Sequence, residues 1–150
     1  MANSHDPHRP FYGNDPEKWY TKKGSKKPAT LKPSKVFKPE EIVVPGFLPD
    51  IPDVRLKIAE YFSSVRRCDD TVGALLKMLD ETGVANNTLV IFLSDNGMAF
   101  PFAKTNRYLQ STRTPFLVRW PENIKAGNVE KTQMISRIDI TPTILEPAGV

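Results

Sequence analysis

The stretch Thr88-Leu-Val-Ile-Phe-Leu-Ser-Asp-Asn-Gly-Met-Ala-Phe-Pro-Phe-Ala-Lys104 decides how the chain reads. It opens on an unbroken apolar run, Leu89 to Leu93. A run rich in Val, Ile and Phe is expected of a strand buried on both faces of a parallel sheet. It halts at Ser94-Asp95-Asn96-Gly97, where polar residues and a glycine signal a turn. In α/β sheets, ligands collect at the carboxyl ends of strands. Asp95 and Asn96 therefore stand where a ligand is expected. A carboxylate and an amide carbonyl are hard oxygen donors, suited to Ca²⁺ or Mg²⁺ and poorly suited to zinc or copper. Side chains alternate faces within a strand; past its end both oxygens can converge on one ion. Calcium takes about six to eight ligands, so this pair is part of a site at most. The same residues beside Gly97 also suit an ordinary turn.

Outward from this stretch, the clearest element is a helix expected from Asp53 to Glu81. Ile58, Tyr61, Phe62, Val65, Cys68, Val72, Leu75, Leu76 and Leu79 recur at three- and four-residue steps and define one apolar stripe. Gly83 is placed to end it. Asp69 and Asp70 point about 100° apart on a helix, which suits a structural or surface role better than chelation. Phe116-Leu-Val-Arg-Trp120 reads as a second strand, stopped by Pro121. A last helix is expected near Asp139 to Leu145, with Asp139 as its cap and Pro142 tolerated in the first turn.

Before the long helix the pattern is irregular. His5-Asp6-Pro7-His8-Arg9-Pro10 is held extended or turned by its prolines. His5 and His8 are the chain's only histidines. With no third such ligand they are a weak transition-metal pair. From Lys18 to Lys38 there are eight lysines and no acid, which reads as a solvated loop whose positive field would suit an acidic glycan. Nucleic acid is a poorer partner, since the stretch lacks arginines and regular aromatic interleaving. The net charge is +4 over 150 residues. No apolar run is long enough for a membrane span, and no signal peptide is visible at Met1. The single cysteine, Cys68, excludes an internal disulfide; its place on the stripe reads as a core residue.

Taken together, Ser94-Asp-Asn-Gly97, Ala103-Lys-Thr-Asn106, Thr114-Pro-Phe-Leu-Val-Arg-Trp-Pro121, Ser136-Arg-Ile-Asp-Ile-Thr-Pro-Thr-Ile-Leu145 and Asn3-Ser-His-Asp-Pro-His-Arg-Pro10 resemble the sulfatase family. The close spacing of Asp95-Asn96 to Lys104 looks most like the heparan N-sulfatases (sulfamidases). The resemblance implies an α/β fold of the alkaline-phosphatase superfamily, with a mainly parallel sheet flanked by helices. It implies calcium held in part by Asp95 and Asn96, and sulfate contacted by Lys104 and His8. It implies hydrolysis of a sulfuric ester or sulfamate on a sulfated glycosaminoglycan sugar such as N-sulfoglucosamine. A periplasmic, secreted or lysosomal location is what the family implies; neither compartment nor oligomeric state is readable from the residues.

Sulfatases act through a formylglycine made from a Cys/Ser-x-Pro-x-Arg segment. Cys68 is followed by Asp-Asp-Thr-Val and does not match it. The expectation is therefore a partial catalytic domain: residues 1–52 carry the histidine segment and the lysine-rich loop, and residues 53–150 carry a helix-strand-strand-helix core. The nucleophile half and the C-terminal region would lie outside it, and the chain alone would be inactive. Two other readings fit the residues less well: a phosphoryl-transfer hydrolase of the same superfamily, and a non-catalytic domain that binds anionic glycans.

Overall fold

The computed structural model describes residues 2–13 and 31–149. Its long element is helix α1 (Pro52–Glu81), which begins one residue before the expected start. Pro52 opens it at a position whose N–H would have no helical partner. The far end closes on Gly83, whose φ of 73° is in the left-handed region. The Val84 N–H donates to Leu79 O at 3.2 Å and the Gly83 N–H to Asp80 O at 3.1 Å. Those are the paired bonds of a glycine-terminated helix end.

The apolar stripe is buried only as far as Cys68. Ile58, Ala59 and Cys68 are buried, whereas Leu75 is 39% exposed and Val72, Leu76 and Leu79 are half-buried. The reason is where the partners lie. Phe11, Ile42, Leu48 and Phe100 pack with Ile58 and Ala59 into one cluster, all against the helix's first half. Ser63 and Ser64 are buried in the same region. Each hydroxyl donates back to a helical carbonyl, Ala59 O at 2.8 Å and Glu60 O at 3.3 Å. Each also accepts a long-range backbone N–H, from Phe37 at 3.0 Å and Tyr12 at 2.7 Å. Satisfied on both sides, they carry little burial penalty.

Residues 31–50, including a 3₁₀ turn at Pro39–Glu41, strap across this half of α1. Ser34 donates its N–H and its hydroxyl to Asp70 at 2.7 and 2.6 Å. Arg55 forks onto Asp50 and donates to Ile42 O at 2.9 Å. Asp69 and Asp70 both pair with Arg66, at 3.0 and 3.2 Å. Of the lysine-rich stretch, residues 14–30 lie outside the described residues. Lys35 pairs with Glu41 at 3.0 Å and sits 4.4 Å over the Phe37 ring.

A 3₁₀ turn at Ala85–Asn87 leads into strand β1 (Val90–Leu93), and strand β2 (Phe116–Arg119) pairs with it. The pairing corrects the expected geometry. The strands are antiparallel, with Val90 opposite Arg119 and Leu93 opposite Phe116. The link between them makes one helical turn, α2 (Leu109–Thr112), and returns to the end where β1 stopped. A parallel pair would need a crossover to the opposite end. Nor are the strands covered on both faces. Their residues are half-buried or exposed, with Leu117 61% exposed.

Beyond β2 the chain is open. A 3₁₀ turn at Arg137–Asp139 runs into helix α3 (Ile140–Leu145). Asp139 precedes α3 but does not cap it with its side chain. Its carboxylate instead accepts the Ser136 N–H at 2.7 Å, because the 3₁₀ turn offers that donor first. Among the described residues no helix is long and apolar enough to cross a membrane.

Candidate active site

The histidine segment is fastened to α1 at three points. Asp6 accepts a two-pronged contact from Arg67, both oxygens at 2.6 Å, and the two side chains are only 13% and 16% exposed. The Arg67 guanidinium also lies 5.6 Å from the Tyr12 ring centre. The Tyr12 N–H is held by Ser64. Phe11 is buried, edge-on to Tyr61 at 5.3 Å and stacked on Phe100 at 5.8 Å. Between these anchors the chain turns, the His8 N–H donating to His5 O at 2.8 Å. The His8 Nδ1 lies 2.7 Å from Arg9 O. A carbonyl only accepts, so Nδ1 carries the proton and Nε2 is the open nitrogen.

Phe100 brings the other half. It belongs to the loop after β1, and that loop is built around Gly97. A Cβ there would fall 1.9 Å from Gln110 O and 2.4 Å from Ala103 O. Only glycine lets the Asp-Asn turn pack against α2, and its N–H donates to Ser111 O at 3.1 Å. Ala103 is fully buried. Phe102 and Thr105, on either side of Ala103-Lys104, have φ of 65° and 61°. A β-branched residue there is strained, at about 1–3 kcal/mol. The turn is held by local bonds: Lys104 O accepts the Thr105 hydroxyl at 2.7 Å and Asn106 Nδ2 at 3.0 Å, and Asn106 Oδ1 accepts the Tyr108 N–H at 3.0 Å.

These two constructions meet. His8, Arg9, Ala99, Phe100, Pro101 and Lys104 line a concavity of about 350 Å³. His8 and Lys104, 96 positions apart in the sequence numbering, face one space together with Arg9. No acidic side chain is among its described lining residues. Lys104 is half-buried, and its ammonium has no ion-pair partner among the described residues. An exposed arginine and a half-buried lysine suit an oxyanion, and the imidazole beside them can add a donor when Nε2 also carries a proton.

Asp95 and Asn96 line a second concavity, of about 540 Å³, with Thr105, Asn106, Arg107, Ser111, Thr112 and Arg137. Neither side chain is spent on a hydrogen bond or ion pair among the described residues. Their oxygens fit a hard cation in kind. They fall short in number, since no group of three or more His, Cys, Asp or Glu able to hold a metal occurs among the described residues. The same finding leaves His5 and His8 a pair only, with ring centres 5.1 Å apart. Cys68 is buried, and burial pushes its thiol up, opposite to an activated thiolate.

The sulfatase family model matches residues 1–150. The chain belongs to the sulfatase family. It is 38% identical to human N-sulphoglucosamine sulphohydrolase over 147 residues, 95% of this chain and 29% of that protein. It is 33% identical to an N-acetylglucosamine-6-O-sulfatase of Bacteroides thetaiotaomicron over 61% of this chain and 17% of that protein. It is 36% identical to human N-acetylgalactosamine-6-sulfatase over 60% of this chain and 20% of that protein. The chain thus spans less than a third of the length of each. Membership carries the α/β fold of the alkaline-phosphatase-like sulfatases.

Two residues that shape the concavities have contacts that the sequence does not show. Arg67 reads as one of the charged residues off the apolar stripe of α1; its contacts to Asp6 and Tyr12 come from distant positions. Gly97 reads as a turn glycine; the backbone approach that requires it comes from α2, thirteen residues on.

Proposed function

We propose that this chain supplies the sulfate-holding and part of the metal-holding machinery of a sulfatase acting on sulfated glycosaminoglycan sugars, N-sulfoglucosamine first among them. The observation that carries the reading is the convergence of His8 and Lys104 on one concavity with no acid among its described lining residues. The 38% identity to a sulphohydrolase named for N-sulphoglucosamine supports the substrate. Lys104 holds sulfate oxygens and offsets the charge that grows on them in the transition state. His8, with its Nδ1 N–H on Arg9 O, presents Nε2, which when protonated donates to a sulfate oxygen or to the leaving group. Asp95 and Asn96 are two of the ligands of a calcium ion, which when bound would polarise the sulfate.

The half-covered β1 and β2 support a larger domain in which further, mainly parallel strands and helices cover them. The 150 residues contain no Cys/Ser-x-Pro-x-Arg segment, so the chain by itself is expected to show no turnover of N-sulfoglucosamine or an aryl sulfate with calcium present. The test is a graft. Placed in human N-sulphoglucosamine sulphohydrolase in exchange for the matching residues, the chain should support hydrolysis of N-sulfoglucosamine, and His8→Ala should reduce it by roughly 10²-fold or more. A folded graft whose His8→Ala variant is as active as its parent would refute the assignment.

A further inference from the structure

Arg9 is, with Lys104, one of the two cations that line the oxyanion concavity. Its Nη2 donates to Ala99 O at 2.9 Å, tying the histidine segment to the loop after β1 across 90 positions. Its guanidinium lies 5.3 Å from the Phe11 ring centre and 5.9 Å from that of Phe100. Those two rings are themselves stacked. One bond to a carbonyl and the contact over the two rings orient the guanidinium. The remaining N–H donors have no carboxylate partner among the described residues, and the residue lines the cavity beside His8 and Lys104.

We infer that Arg9 is a direct anion-binding residue of this site: its oriented guanidinium presents a planar fork to two oxygens of the bound sulfo group, while Lys104 supplies a point charge. The inference rests on the sulfatase reading of the concavity. A planar fork matches paired oxygens of sulfate in a way a lysine cannot. The same Arg9–Ala99 bond makes the residue a clamp, so removing it disturbs both the ligand and the closure of the site.

The experiment uses the 150-residue chain, isotope-labelled, titrated with sodium sulfate against sodium chloride of matched ionic strength, with arginine guanidinium, lysine and histidine signals followed by NMR. The Arg9 guanidinium signals should move along one saturable curve, with the dissociation constant also seen at Lys104. Arg9→Lys keeps the charge and loses the fork; its dissociation constant should rise roughly ten-fold. The Tyr12 amide, bonded to Ser64, reports whether the segment stays docked. Should it undock in the variant, the response of Arg9 in the unsubstituted chain decides. Arg9→Lys binding within two-fold of the parent, or Arg9 signals that ignore sulfate while Lys104 responds, overturns the inference alone. If neither Lys104 nor His8 responds to sulfate, the reading of the whole concavity falls with it.

Discussion

The two concavities are built in different ways. The one lined by His8, Arg9 and Lys104 is assembled from segments about ninety positions apart, through a buried aromatic cluster, a buried ion pair and a backbone clasp. The one lined by Asp95 and Asn96 is made from a turn, a single helical turn and Arg137 from the open C-terminal stretch. The first presents Arg9 and Lys104 with no acid among its described lining residues; the second mixes hard oxygen donors with arginines. The proposed sulfate-binding half is thus held by the chain's own core. The proposed metal-binding half offers a pair of oxygen donors on a loop, fewer than the about six to eight that calcium takes.

The comparison turns on Gly97, which the two sites share through the loop after β1. Gly97→Ala should cost the most. Its Cβ would press on the backbone carbonyls of Gln110 and Ala103, and neither can swing away as a side-chain tip would. The expected loss is at the upper end of the roughly 1–3 kcal/mol seen for overpacking. In the grafted enzyme it should appear as weaker calcium binding and weaker sulfate binding together. Loss of only one would show that the sites do not depend on a common loop.

Asp6→Asn should separate them. It removes one charge from a pair that is more than four-fifths buried on both sides. The expected cost is about 1.5–3 kcal/mol, and it falls on the histidine segment. Sulfate affinity and the position of His8 should suffer while calcium affinity does not, as read by NMR and by calorimetric calcium titration. Equal losses in both would contradict the separate construction.

The strap over α1 has an acid dependence of its own. Hydrogen bonds from Arg55 to Asp50, from the Ser34 hydroxyl and N–H to Asp70, and from the Lys38 N–H to Glu41 hold these carboxyls below their usual range. Lowered values in the folded state mean that their contribution is complete above the ordinary carboxylate pKa of about 4 and is lost as pH falls through the lowered values. Below about pH 4 the amides of Ser34 and Lys38 should lose protection from hydrogen exchange. The Tyr12 amide, held by a serine hydroxyl that does not titrate, should keep its protection. Simultaneous loss at all three would mean that the strap and the histidine segment open as one unit.

Local signals in the sequence were reliable where local physics decides. The period of α1, its glycine end and the two apolar runs of β1 and β2 all became elements within a residue or so of their expected bounds. The direction of strand pairing was not legible. An apolar run carries no information on which way its neighbour runs, and parallel pairing was inferred from burial that the described residues do not provide. The buried serines were also missed. Ser63 and Ser64 look polar until Phe37 and Tyr12 arrive with backbone donors. His8 and Lys104 could be named from motif resemblance; that they face one cavity depends on Arg9, Phe11 and Phe100, whose contacts only the folded chain creates.

The central claim is a division of labour: Lys104 on the sulfate, Asp95 on the metal. Calorimetric calcium titration and steady-state kinetics of Lys104→Ala and Asp95→Asn in the grafted enzyme test it most directly. Lys104→Ala should bind calcium within a few-fold of the parent, with catalytic efficiency lower by about 10²-fold and no recovery on adding calcium. Asp95→Asn keeps the shape and removes a charge; calcium affinity should fall strongly, and excess calcium should restore part of the activity. Full activity in Lys104→Ala, or unchanged calcium binding in Asp95→Asn, would contradict the account.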